Sequence, residues 1–537
     1  MAAAGLRLLG GLWLLASVLR LGEAEVAVAA VDARRAVAAT AEDFVCATLD
    51  WWPPDKCDYG TCAWGRASLL NLDLSNKVLL NAVRAFSPLK LRLGGSLQDK
   101  VVYGTPDVGR PCTPFVKNTS EMHGFTQGCL PLRRWDELNA FFQKSGAKIV
   151  FGLNALNGRV LLPDGSMGGP WDYTNAASLI RYTVNKGYEI HGWELGNELS
   201  GRGVGTRIGA DQYAADVITL KSIVDNIYLS NPSKPLVLAP GGIFDAAWFT
   251  ELITKTKPNL LNVITHHIYN LGPGVDTHLI EKILNPSYLD GMASTFSNLQ
   301  GILKSAGTST VAWVGEAGGA YNSGHHLVTD SFVFSFWFLD QLGMSAKYDT
   351  KSYCRQSFIG GNYGLLNTTT FQPNPDYYSA LLWHRLMGTK VLATTFSGTN
   401  KIRAYAHCAR DSPGITLLLI NLSGNTTTQV SVTSEGAAAH KHSAKKHSRK
   451  TRHVHVPGVA GFAEAAGAMR DEYHLTPKDG NLQSQVMLLN GRPLATDADG
   501  NIPRFDAAKV DAAQPIIVAP YSIVFSHIPY FSAPACS

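Results

Sequence analysis

From residue 42 onward the chain alternates short apolar runs with longer stretches in which apolar positions recur every three or four residues. Eight short runs read as strands: Phe44–Leu49, Leu89–Leu93, Lys148–Leu153, Ile190–Leu195, Leu236–Ala239, Asn262–Ile268, Val311–Gly315 and Ser352–Ile359. Helix-like segments, for example Trp135–Ser145, Asp211–Leu229 and Asp330–Leu342, stand between most of them. A strand-helix unit repeated in this way predicts an α/β fold, a (β/α)8 TIM barrel over residues 42–388, with catalytic residues where the strands end.

After about residue 388 the period shortens to two. Runs such as Ile402–Tyr405, Thr416–Leu419, Gln429–Val432, Gln485–Leu489 and Ile516–Val518 are divided by Gly, Pro, Asn and Asp turns, which predicts a C-terminal β-sandwich over residues 389–537. The strand-like segment 25–41, lying before the barrel, is expected to pair into the same sandwich.

The first 24 residues differ from both. Arg7 precedes the uncharged run Leu8–Leu19, and Gly22-Glu23-Ala24 offers small residues for cleavage, so residues 1–24 read as a secretory signal peptide. No later segment sustains the roughly 18 to 20 apolar residues of a transmembrane helix. Secretion makes the eight cysteines potential disulfides and makes four N-x-S/T sequons usable, at Asn118, Asn367, Asn421 and Asn425. Eight cysteines allow roughly a hundred pairings. Local bridges suit Cys57 with Cys62 and Cys112 with Cys129, and Cys408 is a reasonable distant partner for Cys536. Cys46 and Cys354 lie in apolar strands and read as free buried thiols.

Composition narrows the class. With 537 residues, 45% hydrophobic and 17% charged, the chain is neither disordered nor fibrous, and it is long enough for a barrel and an accessory domain. The formal charge of +5 comes from one place. Residues 440–455, HKHSAKKHSRKTRHVH, hold six Lys or Arg and no acid, and without those six the balance is 41 basic against 42 acidic residues. This segment reads as a solvated loop between sandwich strands, with a polyanion contact as the sharper alternative. No nucleic-acid partner is expected, since the rest of the chain is not basic.

The candidate chemistry lies at two strand ends. Gly192-Trp193-Glu194-Leu195-Gly196-Asn197-Glu198 ends the fourth strand, and Trp313-Val314-Gly315-Glu316 ends the seventh. Two carboxylates facing each other across a sugar ring can divide the work, one protonating the leaving oxygen while the other attacks the anomeric carbon. A separation of about 5 to 5.5 Å would specify retention of configuration. Strand alternation alone does not choose between Glu194 and Glu198, because Gly196 and the loop after it break the phase. Asn197 beside Glu198 adds an amide able to hydrogen-bond a sugar hydroxyl.

These motifs, with Tyr321, resemble the family 79 glycoside hydrolases, the heparanase and β-glucuronidase group, and most closely their plant heparanase-like members. Further matches run through most of the mature chain: Leu93-Gly94-Gly95-Ser96, Phe151-Gly152-Leu153-Asn154-Ala155-Leu156, His266-His267, Gly361-Asn362-Tyr363, Pro375-Asp376-Tyr377-Tyr378, Gly388-Thr389-Lys390-Val391-Leu392, and Cys408 with Cys536. The resemblance implies a double displacement with Glu198 as acid and then base and Glu316 as nucleophile. It implies that Tyr269, two residues beyond His267, hydrogen-bonds the nucleophile, and that Gly361 and Tyr363 recognise a uronic acid carboxylate. Asp50 and Ser96 match positions that contact sugar hydroxyls. Neither a metal nor an organic cofactor is implied.

Departures from heparanase proper bear on substrate. Residues 114–128 carry Lys117 as their one Lys or Arg, and residues 241–245 carry none, where that enzyme has basic clusters. Sulfated glycans bind through Lys and Arg, so this argues against heparan sulfate. The segment Tyr103–Leu130 is too short to contain the family's excised linker, which predicts a single-chain enzyme. The expected function is a β-glucuronidase on extracellular glycans, arabinogalactan-type substrates included. The alternatives are an endo-β-glucuronidase on longer acidic polysaccharides and a non-catalytic glycan-binding wall protein. The partner is then an acidic polysaccharide or proteoglycan glycan, the oligomeric state a monomer, and the location the cell wall, with lysosome, vacuole or peripheral membrane attachment as alternatives.

Overall fold

The computed structural model describes residues 24–109, 111–201, 205–434 and 467–537. The signal-peptide reading of 1–24, apart from Ala24, and the basic segment 440–455 lie outside the described residues.

Strand β1 (Glu25–Ala39) precedes a closed parallel barrel of β2 (Val45–Asp50), β3 (Lys90–Gly94), β4 (Lys148–Leu153), β5 (Gly192–Leu195), β6 (Leu236–Ile243), β7 (Val263–Ile268), β8 (Val311–Ala317) and β9 (Ser352–Arg355). The strands follow one another in chain order around the barrel, and β9 pairs with β2 to close it. Each strand is flanked by apolar positions that pack outward on helices. Trp193 and Leu195 of β5, with Leu91 and Leu93 of β3, share one core with α1 (Leu132–Ser145) and α2 (Ala210–Ile227). The eight strands expected from the sequence are those of the barrel, with no end moved by more than four residues and Lys148–Leu153 matched at both ends.

Closure corrects one expectation. Cys46 and Cys354 are not free thiols but a disulfide, with Cα atoms 4.1 Å apart and 308 residues between them. Pairing of β9 with β2 sets Cys354 opposite Cys46, which a local reading of either strand does not reveal. The bridges Cys57–Cys62, Cys112–Cys129 and Cys408–Cys536 are present as anticipated.

The C-terminal part is, among the described residues, one eleven-stranded mixed sheet curled over an apolar filling. β1 lies inside it, antiparallel to β10 (Met387–Ser397) and parallel to β11 (Thr428–Ser434). Burial on both faces explains why strand Ile415–Asn421, farther along the same sheet, reads ITLLLIN: Leu417 and Leu419 fill the curl, while Leu418 and Ile420 pack on the barrel side.

The four sequons are not equivalent. Asn118 and Asn425 are exposed, whereas Asn421 is fully buried and its Nδ2 donates to the carbonyls of Thr426, Val518 and Ala519. A glycan on Asn421 would break all three bonds, so the expectation of glycosylation there is corrected. Site-resolved mass spectrometry of secreted protein is expected to find glycan at Asn118 and Asn425 and none at Asn421.

Candidate active site

Inward-pointing residues recur at every second position of each barrel strand, and they form layers. Val150, Leu238, Val263 and Trp313 make an apolar floor. Above it, Arg92 of β3 is a buried hub. Its Nε donates to Glu194 Oε2 at 2.7 Å, Nη1 to Glu316 Oε2 at 2.8 Å and Nη2 to Asn197 Oδ1 at 2.9 Å. Thr265 Oγ1 donates to Glu194 Oε1 at 2.7 Å. Glu194 is therefore a buried counterion with both oxygens engaged, whereas Glu198 lines the cleft above. Geometry thus separates two carboxylates that strand alternation could not.

Glu198 reaches the cleft through an unusual turn. Gly196 and Glu198 adopt φ values of 72° and 56°. A Cβ at position 196 would lie 2.4 Å from the Tyr213 hydroxyl, so glycine is required there. A non-glycine residue in the left-handed region costs on the order of 1 kcal/mol or more. Backbone bonds hold this one in place: Glu198 N–H donates to Gly241 O at 2.6 Å, and Asn197 N–H donates to Asp99 Oδ2 at 2.8 Å. Asp99 also accepts from Ala155 N–H at 2.7 Å, tying the loop after β4 to the loop after β5.

Facing Glu198, Glu316 ends β8. Tyr269 OH donates to Glu316 Oε1 at 2.5 Å, and burial together with the Glu316 charge holds the Tyr269 hydroxyl well above its usual pKa, so it stays a donor. His267 Nδ1 lies 3.0 Å from Glu198 Oε1. Ligand-type atoms of Glu198, His267 and Glu316 lie within 4.8 Å of one another. Such a trio could hold a cation, but Arg92 and Tyr269 already occupy the two Glu316 oxygens, and the guanidinium supplies the positive charge.

The two carboxylates open into a cleft of about 760 Å³. Asp50, Ser96, His267, Tyr269, Tyr321 and Tyr363, six of the residues singled out in the sequence, line it. Two expected contacts do not. Asn197 is buried beneath the cleft with its Oδ1 on Arg92, and Gly361 faces a smaller neighbouring depression, its Cα beside the Tyr363 ring. Arg92, Asp99 and Gln356, and the wall residues Trp52, Lys56 and His123, were not anticipated. The signal for Arg92 was present: an arginine at an inward position of the apolar strand KLRLG requires a carboxylate partner inside the barrel.

Asp50 is poised differently from the glutamates. Burial and the Glu316 charge push its carboxyl up to about 7, against hydrogen bonds from Gln356 and the Trp51 backbone. The unfolded chain releases this proton near 3.8, so the stability it contributes is complete below that pH and is lost as pH rises toward about 7. Asp50→Asn is therefore expected to flatten the fall in thermal midpoint between about pH 4 and pH 7, read by differential scanning calorimetry.

Residues 25–343 match the family model described as glycosyl hydrolase family 79, N-terminal domain. The chain belongs to glycosyl hydrolase family 79. It is 58% identical over 508 residues to heparanase-like protein 3 of Arabidopsis thaliana, covering 94% of each chain. It is 46% identical over 508 residues to baicalin-β-D-glucuronidase of Scutellaria baicalensis, covering 92% of this chain and 90% of that one. The fold is also similar to a 4-O-α-L-rhamnosyl-β-D-glucuronidase from Fusarium oxysporum, with a TM-score of 0.62 at 12% identity over 94% of this chain and 100% of that one. As a member of family 79 the chain is a glycoside hydrolase, and among its described residues no helix is long and apolar enough to cross a membrane.

Proposed function

We propose that this family 79 member is a secreted, single-chain, retaining β-glucuronidase acting on extracellular glycans, arabinogalactan-type chains among them. The observation that carries the reading is the pair Glu198 and Glu316, at the ends of the fourth and seventh barrel strands, with facing atoms within 4.8 Å. That spacing fits direct attack and leaves no room for an inverting water between them. In the first step Glu316 attacks the anomeric carbon, the bond to the leaving oxygen breaks, and Glu198 gives that oxygen its proton. In the second step water attacks the same carbon, Glu198 takes the water's proton, and the ester to Glu316 breaks.

Arg92 and Tyr269 keep Glu316 an ionised, oriented nucleophile. Asn197, buried outside the cleft lining, accepts from Arg92 through its Oδ1 and so helps fix the guanidinium that orients Glu316. The glucuronide specificity is supported by the names of the relatives. A sulfated substrate is disfavoured by the cleft itself, whose lysine, Lys56, is already paired with Asp58 at 2.7 Å.

The test is hydrolysis of matched aryl β-D-glucuronide and β-D-glucoside. We expect kcat/KM to favour the glucuronide by about 10²-fold or more, because a site built to bond the carboxylate loses those bonds with the glucoside. Equal rates would refute the specificity.

A further inference from the structure

One side of the cleft differs in chemistry from the rest. Ile243 at the end of β6, Phe244 directly after it, and Met292, which leads into α3 (Ala293–Ala306), form an apolar face there. Ile243 is 39% exposed, and Phe244 and Met292 are partly buried. The Phe244 ring is braced edge-on by the wholly buried Phe249, with centroids 5.1 Å apart, which holds the face in place. Asn270 and Thr295 are the polar groups beside it. The Oδ1 of Asn270 accepts from Trp337 Nε1 at 3.0 Å, while its buried Nδ2 has no partner among the described residues.

The face lies on the acid's side of the reaction. Glu198 N–H donates to Gly241 O at 2.6 Å, two residues before Ile243. In the pairing of β6 with β7, Ile243 stands opposite His267, whose Nδ1 is 3.0 Å from Glu198 Oε1. Across the barrel the lining is polar: Gln356 Nε2 donates to Asp50 Oδ2 at 3.1 Å, and Tyr363 lines the cleft with them. A sugar ring carrying hydroxyls and a carboxylate needs those polar partners. The leaving group, which takes its proton from Glu198, is then set against Ile243, Phe244 and Met292.

The same face is open to a second molecule halfway through the reaction. Once the leaving group has departed, the anomeric carbon is bonded to Glu316 and Glu198 is a base, so a hydroxyl standing where the leaving oxygen stood receives the sugar. Covering an apolar face is favourable for an apolar body. Seating a second sugar there would press hydroxyls against groups that cannot bond them, with Asn270 and Thr295 as the exceptions.

We propose that this face is an acceptor site, and that the enzyme transfers glucuronic acid to primary alcohols with an apolar body as well as to water. The transfer balances as hydrolysis does: the acceptor oxygen bonds to the anomeric carbon, its proton goes to Glu198, and the ester bond to Glu316 breaks, giving an alkyl β-D-glucuronide. The proposal rests on the glucuronidase reading and adds a second activity at the same site.

The experiment fixes the donor and varies the acceptor. Enzyme is incubated with para-nitrophenyl β-D-glucuronide and an equal concentration of either benzyl alcohol or methyl β-D-galactopyranoside, both of which offer a primary hydroxyl. Transfer product and free glucuronic acid are measured by liquid chromatography with mass spectrometry. Both acceptors meet the same glucuronyl-enzyme, so the ratio of transfer reports on the acceptor alone and does not depend on how much folded enzyme a preparation holds. Transfer to benzyl alcohol is expected to exceed transfer to the galactoside by at least about tenfold. Phe244→Ala and Met292→Ala, which cut back the face from two different loops, are each expected to lower that ratio by at least about threefold. Hydrolysis with no transfer to benzyl alcohol, or equal transfer to both acceptors, would overturn the proposal and leave the glucuronidase reading intact. A ratio unmoved in both variants would overturn the assignment of the acceptor to this face. No release of nitrophenol from the donor would instead overturn the glucuronidase reading itself.

Discussion

Glu316→Ala is expected to lower kcat by about 10⁴-fold or more, the loss of roughly 5.5 kcal/mol of transition-state stabilisation. Removing the nucleophile deletes the first bond-forming step, and no neighbouring group replaces it: Glu194 is buried beneath Arg92, and Asp50 carries its proton up to about pH 7. The fold should survive, since Arg92 keeps Glu194 and Asn197 as partners. Glu198→Ala is expected to behave differently. General acid help contributes about 10² to 10⁴-fold, and it matters least when the leaving group is already a good one. Hydrolysis of a dinitrophenyl glucuronide should therefore fall far less in Glu198→Ala than hydrolysis of an alkyl glucuronide, whereas Glu316→Ala should lose both alike. Steady-state rates on the two compounds separate the roles, and an equal loss on both in Glu198→Ala would contradict the acid assignment.

The second large effect is at Arg92. Arg92→Met keeps much of the stem's volume but strips three hydrogen bonds and leaves the wholly buried Glu194 carboxylate without its counterion. Breaking a buried ion pair from one side costs about 3 to 5 kcal/mol, to be read as a lower midpoint in urea unfolding. Activity should fall with it, because Glu316 and Asn197 lose the group that orients both. The double variant Arg92→Met with Glu194→Gln separates these effects: it removes the orphaned charge and should recover stability without recovering turnover. Recovery of activity along with stability would mean that Arg92 acts only on the fold.

The barrel and its paired carboxylates were legible in the sequence because each depends on local pattern. Apolar runs of strand length mark β2 to β9, and Asn197-Glu198 and Glu316 stand directly at strand ends. What escaped depends on closure, which joins residues far apart in the chain. Cys46 and Cys354 read as two separate buried thiols until β9 meets β2. The contacts of Ser323 escaped for the same reason: its partners Asp58 and Trp64 lie more than 250 residues earlier, in the loop after β2. Arg92 was legible in principle, as a charge at an inward barrel position, yet its three partners come from β5, the turn after it and β8. Gly361, expected at the sugar carboxylate from the family resemblance, lines the adjoining depression at φ 68°.

The central claim is a double displacement at glucuronic acid, and the anomer released first tests it most directly. Proton NMR of an aryl β-D-glucuronide digest, recorded before mutarotation, should show the β anomer of glucuronic acid appearing first, because two inversions at the same carbon restore the starting configuration. Initial appearance of the α anomer would contradict the nucleophile role of Glu316 and the account built on it.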